Sequence, residues 1–169
     1  MADTGKDALW LVPPVVIDDI GNAQPETALL NSHLASIRLR TGVAAAGWQH
    51  AGHRNVFLAP DDTAAVSRID FSRVGICIVG KLFLDVRADD WLAVCRRAKE
   101  AGAGLVLDIC DYPFSQKPPD VERFYEEALL LADVVTVNSV RMAELMRGHM
   151  GGQSPQVIED AILSASRRP

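Results

Sequence analysis

The chain has 169 residues, enough for one domain with a real core and too few for two ordinary ones. Hydrophobic residues make up 49% and charged residues 23%, a globular balance that sets aside a disordered chain. A formal net charge of −5 argues against a nucleic-acid partner gripped through its phosphates, because that mode needs a basic face.

The start, MADTGKDALWLVPPVV, lacks the basic segment and cleavage site of a secretory signal. No run reaches the ~18 apolar residues of a membrane span. The three cysteines, Cys77, Cys95 and Cys110, are odd in number and have no CxxC spacing, so they read as buried free thiols in a reducing cytoplasm.

In chain order, residues 8–17 are apolar and β-rich but interrupted by Pro13 and Pro14, which predicts a first strand over 9–12 with the prolines leading out of it. Residues 18–32, with Gly21, Asn22 and Pro25, read as a loop. A helix is expected from 32–34 to about Ala51, burying Leu34, Ile37, Val43 and Trp48. Gly42 and Gly47 weaken it by roughly 1 kcal/mol each, which close packing against a sheet would explain. Gly52 stops the helix, NVFLA over 55–59 forms a second strand, and 60–73 is a polar connection with one helical turn.

VGICIVG over 74–80 has the apolar run of a central strand buried on both faces, with Lys81 at its carboxyl end. Residues 88–102 carry Trp91, Leu92, Cys95 and Ala98 at helical spacing, acids in the first turn and basic residues near the end. The strand 105–109 runs into Asp108 and Asp111, and a proline-rich loop spans 112–119. Asp120 is placed to cap a helix over 121–132, Asp133 to introduce a strand over 134–138, and Ser139 to cap a helix over 140–150 that closes at Gly151 and Gly152. A short strand over 156–158 and a basic tail complete the chain. This alternation predicts an α/β fold: a three-layer Rossmann-like open parallel sheet of about six strands, helices on both faces, as a single domain over 1–169.

The two best-known nucleotide fingerprints are missing. There is no G-x-x-x-x-G-K-[ST], and Gly102-Ala103-Gly104 precedes a strand, whereas a dinucleotide motif must follow one. His50 and His53 straddle the helix stop at Gly52 and read as helix-end or surface histidines, not a metal pair. No G-x-S-x-G is present, and Ser139 reads first as a helix cap, then as a hydroxyl at a strand mouth.

In an open α/β sheet, ligands sit beyond the carboxyl ends of the strands. Asp108 and Asp111 lie there, with turn and cap duty as one role and sugar binding or general-base chemistry as the other. Within Ser36-Ile37-Arg38-Leu39-Arg40, α-helical geometry puts 36 and 40 on one face and 38 on another. The arginines are therefore either solvated or split, one of them gripping a phosphate or carboxylate.

These pieces resemble the N-terminal domain of GT-B glycosyltransferases, particularly the large retaining glycosyltransferase family 4. The resemblance rests on Ser36–Arg40, Val79-Gly80-Lys81, Gly104–Asp111, Ala132–Ser139 and Val157–Ala161. It implies a half that supplies the acceptor side of an interdomain cleft, with a nucleotide-sugar donor held mainly by a second domain that has no counterpart here. The reaction implied is sugar transfer to a saccharide or lipid-like acceptor. The implied site has Asp108 and Asp111 as catalytic residues and Arg38, Arg40, Lys81, Tyr112, Asn138 and Ser139 as substrate-binding residues. No cofactor and no metal are implied, and the location is cytoplasmic, the inner face of the membrane included. The glycine-rich loop usual after the family's first strand is replaced here by Pro13-Pro14 and residues 18–24. A non-catalytic Rossmann-like module that binds a ligand or partner is the alternative. A flavodoxin-like receiver fits poorly, since Asp18 and Asp19 are offset and the late lysine is absent.

Overall fold

The structure is a computed structural model that describes residues 6–20, 25–82, 87–114 and 118–159. Strand β1 (Asp7–Leu11) leads into helices α1 (Pro14–Ile20) and α2 (Pro25–Leu30), then a π-helical segment (Ile37–Gly42) that continues as α3 (Val43–His50). There follow β2 (Asn55–Leu58), α4 (Thr63–Ser67), a 3₁₀ turn (Phe71–Arg73), β3 (Val74–Val79) and α5 (Ala88–Glu100). The chain goes on through β4 (Gly104–Ile109), α6 (Pro119–Leu131), β5 (Val134–Val137), α7 (Val140–Met146), a second 3₁₀ turn (Arg147–His149) and β6 (Gln156–Val157). The strands form one all-parallel sheet in the order β2-β1-β3-β4-β5-β6. The expected three-layer Rossmann-like architecture is present, with its topological switch between β1 and β3.

Three predicted elements need correction. Residues 18–32 are not one loop: Pro14 and Pro25 each stand at the first position of a helix. There the missing N–H costs nothing and the fixed φ favours the helix, so both prolines start structure that a breaker reading ends. Asp120 does not cap α6, which begins at Pro119 with Pro118 in the cap position; it sits in the first turn, where its charge suits the helix dipole. Helix 34–51 contains π-helical turns, so the α-helical assignment of 36 and 40 to one face does not apply. The expected loop tips at 21–24 and 115–117 and the basic tail from 160 onward lie outside the described residues.

Gly42 has a packing reason, though not the sheet: a Cβ there would meet the α2 backbone at Leu29 C, 2.9 Å away. Gly47 faces open space, so its cost is uncompensated.

The two faces of the sheet are covered unequally. On one face α4, α5, α6 and α7 close over Leu9, Leu11, Cys77, Val79, Leu105, Leu107, Ile109, Val135 and Val137, with Trp91 and Phe124 at the centre of the layer. On the other, α1, α2 and the π/α3 helix bury Ala8, Trp10, Val12, Val16, Leu29, Ile37 and Ala45. This second layer lies over β1 and β2 and reaches the edge of β3. Ile76, Ile78 and Val106, pointing the same way further along, stay only half-buried.

Candidate functional site

At the carboxyl ends of β3, β4 and β5 the chain turns through Gly80-Lys81, Cys110-Asp111-Tyr112 and Asn138-Ser139, so five of the expected residues, Lys81, Asp111, Tyr112, Asn138 and Ser139, lie at the strand ends. Lys81 pairs with Asp111, and this hydrogen bond raises the ammonium above its ordinary pKa against the cost of partial burial. Tyr112 Oη lies 3.1 Å from His149 Nε2, and Phe114 stacks on the same imidazole with ring centroids 3.8 Å apart. Asn138 Nδ2 donates to the Cys110 carbonyl (3.0 Å), tying the β5 turn to the β4 turn. Ser139 Oγ accepts from Met142 N (3.2 Å), so it caps α7 as its spacing suggests. Buried Tyr125 accepts from Leu82 N through its hydroxyl (3.2 Å) and fixes the chain just after Lys81; burial drives that phenol well above its usual pKa.

Asp108 lies deeper, on the less-covered face. Arg40 Nε donates to Oδ2 at 2.7 Å and Arg40 Nη2 to Oδ1, a two-pronged grip, and Thr136 Oγ1 donates to Oδ1 at 2.5 Å. The guanidinium also donates to the Ile158 carbonyl through Nη1 (2.9 Å). The π-helical turns set the reach of Arg40 across the sheet to β4, 68 residues away in sequence. Arg38 goes elsewhere, donating to the Ser32 carbonyl at 2.5 Å. The two arginines are thus split, and Arg40 is held by the protein's own Asp108 rather than left solvated. Side chains of Arg40 and Asp108 are only 7% and 16% exposed, so the pair is largely desolvated and leaving one partner alone is costly.

Above this pair opens a pocket of about 410 Å³. Its floor is the sheet, with Trp10, Ile76, Ile78, Gly80, Val106, Asp108 and Thr136. Its roof is the π/α3 helix, with Leu39, Arg40, Thr41, Val43, Ala44 and Trp48, while Ile158 and Glu159 form a side wall. The strand register sorts the floor into rows: Asp108 stands beside Thr136, Ile78 stands between Trp10 and Val106, and Ile76 faces Gly104. The row at the carboxyl ends is polar and the rows below it are apolar. Gly80 stands at the switch point, where an added Cβ would lie 3.7 Å from Thr41 Oγ1 and 3.9 Å from the Leu11 carbonyl oxygen. Trp48 Nε1 is buried without an acceptor among the described residues, a deficit of ~1–3 kcal/mol for such a group.

Comparison with family models, curated proteins and solved structures returns no match. The geometry is therefore the basis of the functional reading.

The thiols offer little nucleophilic chemistry. Burial pushes Cys110 up to about 11 and Cys95 up to about 12, and raises Cys77 well above the ordinary thiol range. His50 and His53 are exposed, with His53 packed against the Trp48 ring at 4.6 Å. Among the described residues no group of three or more His, Cys, Asp or Glu is placed to hold a metal ion, and no helix is long and apolar enough to cross a membrane.

Sequence reasoning puts Lys81, Asp111, Tyr112, Asn138 and Ser139 at the strand ends, where the structure has them, and does not single out the pocket residues Trp10, Thr41 and Thr136. A signal for Thr136 exists: it is the one hydroxyl in the otherwise apolar VVTV of β5. Trp10 carries no such mark, because the face a residue takes in a strand apolar on both sides is not written in its run, and Thr41 carries none because its direction is set by π-helical turns that no side-chain pattern announces.

Proposed function

We propose that this chain is the acceptor-side half of a glycosyltransferase, moving a sugar from a nucleotide-sugar donor to a saccharide or lipid-like acceptor. The observation that carries the reading is the pocket's polar end, where Gly80 at the β1/β3 switch point stands with Asp108 and Thr136 near the carboxyl ends of the strands, the edge at which α/β sheets bind ligands. The turn that leaves β1 supports the division of labour. It runs Val12-Pro13-Pro14 directly into α1, with no glycine to let a diphosphate approach the backbone. Donor phosphates then belong to another domain.

Within this reading the two acids take different parts. Asp111, exposed on the rim beside Lys81, is the carboxylate placed to accept a proton from an acceptor hydroxyl. Asp108, gripped by Arg40 and Thr136, fixes the polar end of the pocket. Tyr112, Asn138 and Ser139 lie at the same strand ends, outside the pocket lining, and would meet the part of the acceptor that projects from it. A closing second domain excludes water and aligns the donor. The engagement of Asp108 favours one other reading, a non-catalytic module that uses the same crevice only to bind.

Calorimetry with nucleotide sugars, beside amide NMR spectra recorded with acceptor sugars and alkyl glycosides, tests the proposal. The expected result is no saturable nucleotide-sugar binding by this chain alone, and acceptor-induced shifts at Gly80, Lys81, Asp111 and Thr136. Tight binding of a nucleotide sugar, or silence at those amides with every acceptor class, overturns it.

A further inference from the structure

From the pocket we infer that the acceptor is an amphiphile, its hydroxyl-bearing head at the carboxyl-end row and its single hydrocarbon chain lying down the sheet face. The inference rests on the acceptor-side reading and narrows it from saccharide or lipid to lipid.

Three observations carry it. The first is the sorting of the walls. Asp108, Thr136, Arg40 and Thr41 cluster at one end, and Trp10, Ile76, Ile78, Val106, Val43, Ala44 and Trp48 line the rest. A saccharide carries hydroxyls along its whole length and would leave them unpaired against the lower rows, which costs free energy at each one. A hydrocarbon chain matches those rows and removes their half-exposed surface from water.

The second is size. The polar row and the Ile76 row are four residues apart along the strand, ~13 Å, which is the length of an alkyl chain of about ten carbons. A volume of about 410 Å³ falls within the usual range of small-ligand pockets. The third is the head site. Asp108 and Thr136 sit at the level where β4 and β5 end, beside Gly80, so a bound head is presented at the switch-point opening while the chain stays under the helix. The pocket has a roof, a floor and a side wall, unlike a bare sheet face.

Decyl β-glucoside, kept below its micelle concentration, is the probe, with free glucose as the control, and tryptophan fluorescence is the readout. Trp10 and Trp48 line the pocket whereas Trp91 is buried in the opposite layer, so two of the three tryptophans report. Decyl glucoside is expected to change the emission saturably and glucose to leave it unchanged. Val106→Trp fills the pocket from the floor and Ala44→Trp from the exposed roof, and each weakens binding by about tenfold or more. Ala44→Trp is the variant less exposed to misfolding, because Ala44 faces solvent.

Absence of a saturable response, or equal response in both variants, overturns the inference. So does a concentration-dependent dimer that Ala44→Trp abolishes, since a second copy is then the occupant. Shifts at the rim amides with glucose alone, without gain from the alkyl chain, sink the lipid assignment and leave the acceptor-side reading standing. Decyl glucoside binding beside tight nucleotide-sugar binding has the opposite consequence: the pocket assignment holds and the division between two halves falls.

Discussion

The two faces of this sheet are made from the same strands and differ in how completely they are covered. Along β4, Leu105, Leu107 and Ile109 are at most 1% exposed under α5 and α6, while the intervening Val106 and Asp108 stay half-buried beneath a helix that covers them from one side. The closed face holds most of the packed volume and sets stability. The other face leaves apolar surface partly uncovered and places a desolvated ion pair there. Closure of the core follows residue parity, so neighbours one position apart are expected to respond differently to the same substitution.

The largest contrast is Leu107→Ala against Val106→Ala. Truncating Leu107, fully buried in a close-packed layer, is expected to cost about 2–5 kcal/mol. Val106 already borders a void, and its loss costs less than about 1 kcal/mol, because the missing atoms leave no new sealed cavity. Urea unfolding of both variants checks this; equal losses would mean that the two faces are equally closed.

Next in size is Arg40→Ala, expected to cost about 3 kcal/mol because Asp108 is left as a half-buried carboxylate with Thr136 as its remaining described donor. Adding Asp108→Asn recovers part of this by removing the stranded charge. A double-mutant cycle in urea reads the coupling, and additive losses would show that the pair is not an energetic unit.

A smaller effect concerns pH. At the amino-terminal edge Arg54 hydrogen-bonds the buried Asp7 and holds its carboxyl below the ordinary value, and Lys99 and the Leu105 amide do the same for Asp133. A depressed carboxylate contributes stability that is present above its unfolded pKa and is lost as pH falls through the folded one. Stability should therefore fall as pH drops through the lower end of the aspartate range, and Asp7→Asn should flatten that limb while lowering stability near neutrality. An unchanged acid limb would remove Asp7 from the linkage.

Much of the fold was legible because parallel strands buried on both faces appear as apolar runs between glycines, as VGICIVG does. The clearest helix, α5, announces itself through Trp91, Leu92, Cys95 and Ala98 with charges that suit the dipole. What stayed hidden has specific causes. Pro14 and Pro25 stand at the first position of helices, whereas the sequence alone reads the first as an exit from the strand and the second as part of a loop, so α1 and α2 are missed. The π-helical turns at Ile37–Gly42 change which side of the helix Arg40 takes, and no side-chain pattern marks them in advance. The rim residues Asp111, Tyr112, Lys81, Asn138 and Ser139 were legible because they follow strands, and Asp108 because it is the acid within the apolar run of β4. The pocket was not, since it depends on one face being covered less than the other, a relation between elements far apart in the chain.

Thiol labelling tests the difference between the faces most directly. A cysteine placed at Val106, in a Cys110→Ser background, should react with a small maleimide in the native state. Cys77 and Cys95, buried under the opposite layer with raised pKa values, should react only on unfolding. Decyl glucoside should slow the reaction at position 106 and leave the other two unchanged. A position-106 thiol as unreactive as Cys77 in the native protein would contradict the open face, and with it the pocket on which the functional reading stands.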